Sequence, residues 1–203
     1  LNPASLLAAT TEGIYKSIDG GESWSQVLDR KMVMDLQLNK TDTNIVFAGV
    51  GNGDSSDKGI YKSNDGGATW SLLTGNGLPN IYEHTGRITL AAFEGDYNTV
   101  LALIGNRYGT SGIYRTSNSG ITWTALGLEE IVSYQGWYAK GLLIKPDDAT
   151  RVLAGGVDVF KSVDSGNGFF KVSNIFFDAD YVHADIHDII VNPLDPEKVY
   201  VIT

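Results

Sequence analysis

The chain contains no cysteine. That excludes disulfides, thiolate metal sites and a cysteine nucleophile. It leaves the compartment open, because a cysteine-free chain is compatible with bacterial secretion. No apolar run reaches the ~20 residues that a membrane-spanning helix needs, and no signal-peptide pattern is present. Basic residues are scarce: 15 Lys and Arg stand against 24 Asp and Glu, for a net charge of −9. Nucleic acids are bound through basic stripes, and none is visible, so they are excluded as expected partners. Helical periodicity is also missing; the nearest stretch, residues 126–133, is too short to carry a helix. Intrinsic disorder is excluded by composition, with 42% hydrophobic and 19% charged residues.

What the chain does have is repetition. GIYKSIDGGESW at Gly13–Trp24 returns as GIYKSNDGGATW at Gly59–Trp70 and as GIYRTSNSGITW at Gly112–Trp123. A worn copy, DVFKSVDSGNGF, lies at Asp158–Phe169, and the starts are spaced by 46, 53 and 46 residues. A period in this range marks one supersecondary unit repeated. Between the copies two short apolar runs recur around a polar turn: residues 32–38 and 45–49, 87–93 and 100–104, 138–144 and 152–155, then 187–191 and 199–202. Such runs, bounded by Gly, Pro, Asn and Asp, are strand signatures. With the Gly-Ile-Tyr-Lys-Ser run as third strand and a fourth starting at the motif Trp, each period holds four strands, the unit of a β-propeller blade.

The expected architecture is therefore all-β, a propeller of four-stranded antiparallel blades. Residues 1–29 supply strands two to four of one blade; 30–79, 80–128 and 129–174 are whole blades; 175–203 supply strands one and two of the next. Both end pieces contain a second strand, so they do not combine into one closing blade. The expectation is an open arc of a larger propeller, part of a longer polypeptide.

Each position of S-x-D-x-G-x-T-W has a mechanical reason. Asp65 accepts hydrogen bonds from N–H groups left free by a tight turn. Gly67 supplies positive φ, Ser63 and Thr69 tie the turn, and Trp70 buries a large ring, with ~3–5 kcal/mol lost on truncation. The corresponding positions are Ser17, Asp19, Gly21 and Trp24; Thr116, Asn118, Gly120 and Trp123; and Ser162, Asp164, Gly166 and Phe169. Asn118 keeps an acceptor oxygen without a charge, and Phe169 keeps a ring, which suits a structural role rather than chemistry by the carboxylate.

These four copies resemble Asp-box (BNR) repeats. Such repeats are shared by sialidases, xyloglucan-degrading glycoside hydrolases, sortilin-type receptor propellers and a photosystem assembly factor. The resemblance covers essentially the whole chain and implies the propeller fold, with the boxes on the periphery. It implies little about activity, because enzymes and non-enzymes share the device. The HADxHD and NPxDP sequences after Tyr181 also resemble a segment of secreted bacterial propellers. A secreted or cell-surface bacterial protein is thus implied.

In a propeller, ligands are expected on the face where chains enter the first strands and where strands two and three are joined. There, His183, Asp185 and His187 alternate at i, i+2 and i+4. In an extended chain they share one face, where they suit a divalent cation, a ligand or acid–base work, or serve as hydrogen-bonded loop residues. Trp137 and Tyr138, with Lys140, suggest a sugar-stacking platform or ordinary inner-strand packing. Arg87, after His84, and Arg107, beside Tyr108, are further ligand candidates. The loop at residues 51–57 offers Asp54 and Asp57 to Ca²⁺, though a solvated loop explains it as well. No cofactor is required by any of this.

The preferred function is a binding or structural module for a protein or glycan on the mouth face. The alternative is a glycoside hydrolase with part of its catalytic acids outside the chain. A sialidase-like site needs an arginine cluster, and only Arg87 and Arg107 stand near the mouth, besides Arg30. A xyloglucanase-like site needs two facing acids. Asp35, Asp185 and Asp188 are the candidates for one half, without an identifiable partner, and the glycine-rich opening segment associated with that family is missing.

Overall fold

A computed structural model describes residues 2–53, 55, 57–80, 86–127, 129–138, 140–176 and 179–203. Every regular element among them is a β-strand. The first sheet comprises β1 (Leu6–Thr10), β2 (Gly13–Ser17) and β3 (Ser25–Leu28). The second comprises β4 (Val33–Leu38), β5 (Val46–Val50), β6 (Gly59–Ser63) and β7 (Ser71–Leu72). The third runs through β8 (Ile88–Ala92), β9 (Val100–Gly105), β10 (Thr110–Thr116) and β11 (Thr124–Ala125). The fourth runs through β12 (Gly141–Lys145), β13 (Asp148–Gly155), β14 (Val159–Ser162) and β15 (Phe170–Lys171). The fifth is the pair β16 (Asp188–Asn192) and β17 (Asp195–Ile202). All pairings within the sheets are antiparallel between sequence neighbours. The first strands β4, β8, β12 and β16 pack side by side. The molecule is an arc of β-propeller blades.

Period-two alternation decides which blade each residue touches. Along β9, Val100, Ala102 and Ile104 face the second blade, packing with Phe47, Ile60 and Trp123. Leu101 and Leu103 face the fourth, packing with Leu142, Ile144, Val152 and Phe160. All six residues of β9 are buried, so the strand is apolar throughout. Each such Leu or Ile contributes ~1.5–3 kcal/mol through burial. Smaller clusters join the first blade to the second around Ile14 and Val50, and the fourth to the fifth around Val159, Ile186 and Ile189.

The repeated turn is a closed hydrogen-bond device. The N–H of Gly67 donates to Ser63 Oγ at 2.8 Å, and the Ser63 hydroxyl donates to Asp65 Oδ1 at 2.7 Å. Asp65 then accepts the N–H groups of Ala68 and Thr69 and the Thr69 hydroxyl at 3.0, 2.8 and 2.6 Å. Ser17, Asp19, Gly21 and Ser23 repeat it, as do Ser162, Asp164, Gly166 and Gly168. Asn118 Oδ1 accepts the Thr116 hydroxyl and the Thr122 N–H, and Asn118 Nδ2 donates to the Thr122 hydroxyl. Each complete turn docks on the strand one-to-two turn of its own blade, for example through the Gly66 N–H to the Asn44 carbonyl.

In the first and third copies the basic residue of Gly-Ile-Tyr-Lys/Arg reaches the next blade, whereas Lys62 of the second lies over the Phe47 ring of its own blade. Lys16 Nζ donates to the Gly66 carbonyl at 2.9 Å, and Arg115 Nη1 donates to the corresponding Ser165 carbonyl at 3.2 Å. The motif aromatics differ in burial. Trp123 is 4% exposed, Trp70 and Phe169 are half-buried, and Trp24 is 43% exposed. The rings pack toward the preceding blade, as Trp123 does edge-on to Phe47. Trp24 has no such blade among the described residues.

Two outcomes are expected. At Gly66 (φ +69°) an added Cβ finds its nearest neighbour at 3.5 Å, whereas at Gly67 (φ +82°) it meets Leu7 Cδ1 at 2.7 Å. Gly66→Ala should cost about 1–2 kcal/mol through strain, and Gly67→Ala a further ~1–3 kcal/mol through overpacking, read from urea midpoints. Separately, the Ser23 and Thr69 hydroxyl donations, then the N–H groups of the same residues, hold Asp19 and Asp65 well below the ordinary carboxylate value of 3.8. A carboxylate depressed in the fold stabilises it fully above the unfolded value, and that stability is lost as pH falls through the folded value. Acid unfolding should begin below about pH 4. Asp19→Asn and Asp65→Asn should flatten the dependence of melting temperature on pH in that acid range.

Candidate functional site

The inner strands each carry one free edge, because β8 bonds only to β9, and β12 only to β13. That edge needs acceptors and donors from elsewhere. One is supplied across the blades: the Leu90 N–H of β8 donates to Asp35 Oδ2 of β4 at 2.7 Å. Asp35, Thr89, Gly141 and Asp188 hold corresponding places on the four inner strands. Each lies three residues before the pairs Leu38–Val46, Ala92–Val100, Ile144–Val152 and Val191–Val199. Between these strands runs a groove of about 390 Å³. Asp35, Arg87, Thr89, Lys140, His187 and Asp188 line it.

Lys140 is wholly buried, at 0% exposure. Its Nζ, Arg87 Nε and Thr89 Oγ1 have no hydrogen-bond partner among the described residues. Burial pushes the Lys140 ammonium well below its ordinary value; the neighbouring Arg87 charge acts in the same direction, and Asp35 opposes both. Burial also lowers Arg87 against the pull of Asp35 and Asp188. It raises Asp35 despite the Leu90 N–H and the Arg87 charge. Repetition in the motif gives no hint of these buried groups. Lys140 was a mouth candidate beside Trp137 and Tyr138, within the apolar run at residues 138–144, but nothing in the sequence marked it as buried.

An exposed aromatic pair adjoins Arg87 and His187 of the groove. Trp137 and Tyr138 are 48% and 42% exposed, with ring centroids 5.1 Å apart. Tyr138 also meets the His187 ring edge-on at 4.8 Å. The platform is not inner-strand packing. It is held by backbone contacts: Asn52 Nδ2 donates to the Trp137 carbonyl at 2.8 Å, and Arg87 Nη1 to the Tyr138 carbonyl at 3.0 Å. Trp137 also lines a second hollow, of about 540 Å³, with Met32, Asn52, Gly53, Arg107 and Tyr108. The Arg107 guanidinium lies 5.5 Å from the Tyr108 ring centre. The loops entering β8, β12 and β16 and the strand two-to-three loops thus meet on one face, opposite the repeated turns.

The alternation of His183, Asp185 and His187 does not make a shared face. Residues 182–187 are not a strand, and Asp185 lies in the left-handed region at φ +70°. The side chains diverge. Asp185 accepts from Gln135 Nε2, His187 packs on Tyr138, and His183 is exposed with Nδ1 2.5 Å from the Ala184 carbonyl. Among the described residues no three His, Asp or Glu side chains are grouped to hold a metal ion. Asp188 is exposed on the groove's rim, and its Oδ1 accepts the Ile189 N–H at 2.9 Å. In the loop at residues 51–57, Asp57 pairs with Arg30 at 3.5 Å. Asp54 and His84 lie outside the described residues.

No family model matches the chain, and no curated relative matches it. Solved structures do. The GH74 enzyme of Niastella koreensis superposes with a TM-score of 0.71 over 98% of this chain and 33% of its own, at 18% identity. YCF48 bound to D1 peptide matches 99% of this chain and 57% of its own, with a TM-score of 0.61 and 16% identity. The extracellular domain of a one-component system from B. thetaiotaomicron matches 99% of this chain and 25% of its own, with a TM-score of 0.66 and 12% identity. The chain spans about a third of the GH74 structure's length. At these identities the likeness is one of fold, that of a β-propeller. Among the described residues no helix is long and apolar enough to cross a membrane.

A buried donor without an acceptor costs about 1–3 kcal/mol. Lys140→Met keeps the length of the side chain and removes the unpartnered group. The melting temperature of the unliganded protein should rise, by a stability gain of about 1–3 kcal/mol, as measured by scanning calorimetry.

Proposed function

We propose that the chain is a glycan-binding module on the mouth face of a bacterial secreted or cell-surface propeller, within a longer polypeptide. The observation that carries this reading is the exposed Trp137–Tyr138 pair, fixed by Asn52 and Arg87, with Trp137 lining one hollow and Tyr138 held by Arg87 of the groove. Aromatic faces pack on the apolar faces of pyranose rings, and neighbouring polar groups fix orientation. Rigid aromatics also bind at low entropic cost, because they have little freedom left to lose. The fold likeness to GH74 enzymes and to an extracellular sensor domain supports a carbohydrate-facing, extracellular setting.

The hydrolase alternative is less well supported by the groove. Asp35 is engaged by the Leu90 N–H, and Arg87 and Lys140 line the groove with Asp35 and Asp188. A pair of carboxylates flanking a scissile bond would need open space between them.

Binding of β-glucan and xyloglucan oligosaccharides should be measurable by calorimetry. Trp137→Ala or Tyr138→Ala should weaken it about tenfold, equivalent to ~1.4 kcal/mol, with melting unchanged. Turnover of aryl-glycosides or xyloglucan oligosaccharides, abolished by Asp185→Ala or Asp188→Ala, would replace this reading with the hydrolase.

A further inference from the structure

Three of the residues lining the groove carry buried polar groups that lack a partner among the described residues. Lys140 precedes β12, and Arg87 and Thr89 flank Ile88 at the start of β8. Lys140, Arg87 and Thr89 therefore come from neighbouring inner strands to line one cavity, with Lys140 Nζ, Arg87 Nε and Thr89 Oγ1 buried without a partner among the described residues. The acids nearby do not satisfy them. Asp35 gives Oδ2 to the Leu90 N–H. Glu94 is held by Lys40. Asp188 is exposed at the rim, with Oδ1 on the Ile189 N–H. Convergent donors are complementary to a group that only accepts, and an ionised carboxylate is such a group, with two oxygens and one negative charge.

The rim indicates what carries the carboxylate. Tyr138 is part of the stacking platform, and its carbonyl is bound by the same Arg87 whose Nε is free. Platform and groove are thus joined through one side chain. His187, also lining the groove, stands nearly perpendicular to the Tyr138 ring.

We infer that the groove binds a sugar acid, a pyranose uronate, with its ring on Tyr138 and its carboxylate on Lys140 Nζ, Arg87 Nε and Thr89 Oγ1. The inference rests on the glycan-binding reading and narrows it to an acidic sugar.

The test is calorimetric titration of the whole chain with D-glucuronate and D-galacturonate, beside D-glucose, D-galactose and acetate. The uronates should bind at least about tenfold more tightly than the neutral sugars or acetate. Lys140→Met should lose about tenfold in uronate affinity while melting no lower than the wild type, an outcome that a merely structural lysine would not give. Thr89→Val supplies a second variant, with an expected loss of about threefold, should Lys140→Met not fold. Uronates binding no better than the matching neutral sugars would overturn the inference. So would acetate binding as tightly as the uronates, or unchanged uronate affinity in the variants. Neutral oligosaccharides that bind through Trp137 while uronates do not would sink the uronate site and leave the glycan-binding reading standing. Binding of neither kind of sugar would remove both.

Discussion

A four-stranded blade in this protein is apolar on both faces, and neither face can be left in water. β9 makes the constraint plain. Val100, Ala102 and Ile104 need the second blade, while Leu101 and Leu103 need the fourth. Loss of one blade would expose its neighbours on a whole face, so stability belongs to the stack rather than to the blade. The other devices serve this requirement. The Ser-Asp-Gly turn brings the short fourth strand back onto the third, and the Lys16 and Arg115 clasps tie a third strand to the turn of the next blade. The motif tryptophan fills the seam where a preceding blade stands against it, with Trp123 buried and Trp70 half-buried.

Stacking blades side by side also creates the site. Inner strands leave one edge unpaired, and the residues at that edge are the ones pressed together on the axis. Asp35 spends a carboxylate oxygen on the neighbouring strand's Leu90 N–H. Arg87 and Lys140 are brought into the same low-dielectric space with incomplete partnering. A stable fold tolerates few buried polar groups of this kind, and those it keeps are concentrated on the face where the variable loops meet. The repeated turns lie on the opposite face with their hydrogen bonds closed, and so contribute rigidity rather than recognition.

Much of the mouth was legible residue by residue, but not its geometry. Arg87, Trp137, Tyr138, His187 and Asp188 were identifiable as mouth residues because the repeat sets the blade register. Their grouping was not, because they come from three different loops. The His183–Asp185–His187 pattern failed for a specific reason. Alternation implies a shared face only if the chain is extended, and Asp185 sits at φ +70°. Lys140 was visible as a lysine, but nothing local marked it as buried, since burial is imposed by the neighbouring blades.

The sequence by itself determined the strand count, the turn chemistry and the order of the sheets. Those depend on local alternation, on Gly at positive φ and on acceptor side chains two to four residues from the groups they bind, all written within one repeat. The tertiary structure alone decided which polar groups lose their water. Asp35, Arg87 and Lys140 are separated by roughly a blade's length of chain, and although each was a candidate in its own repeat, nothing local marked any of them as buried beside the others. They form a groove only because hydrophobic faces elsewhere force the inner strands into contact, and that long-range packing leaves no local signature.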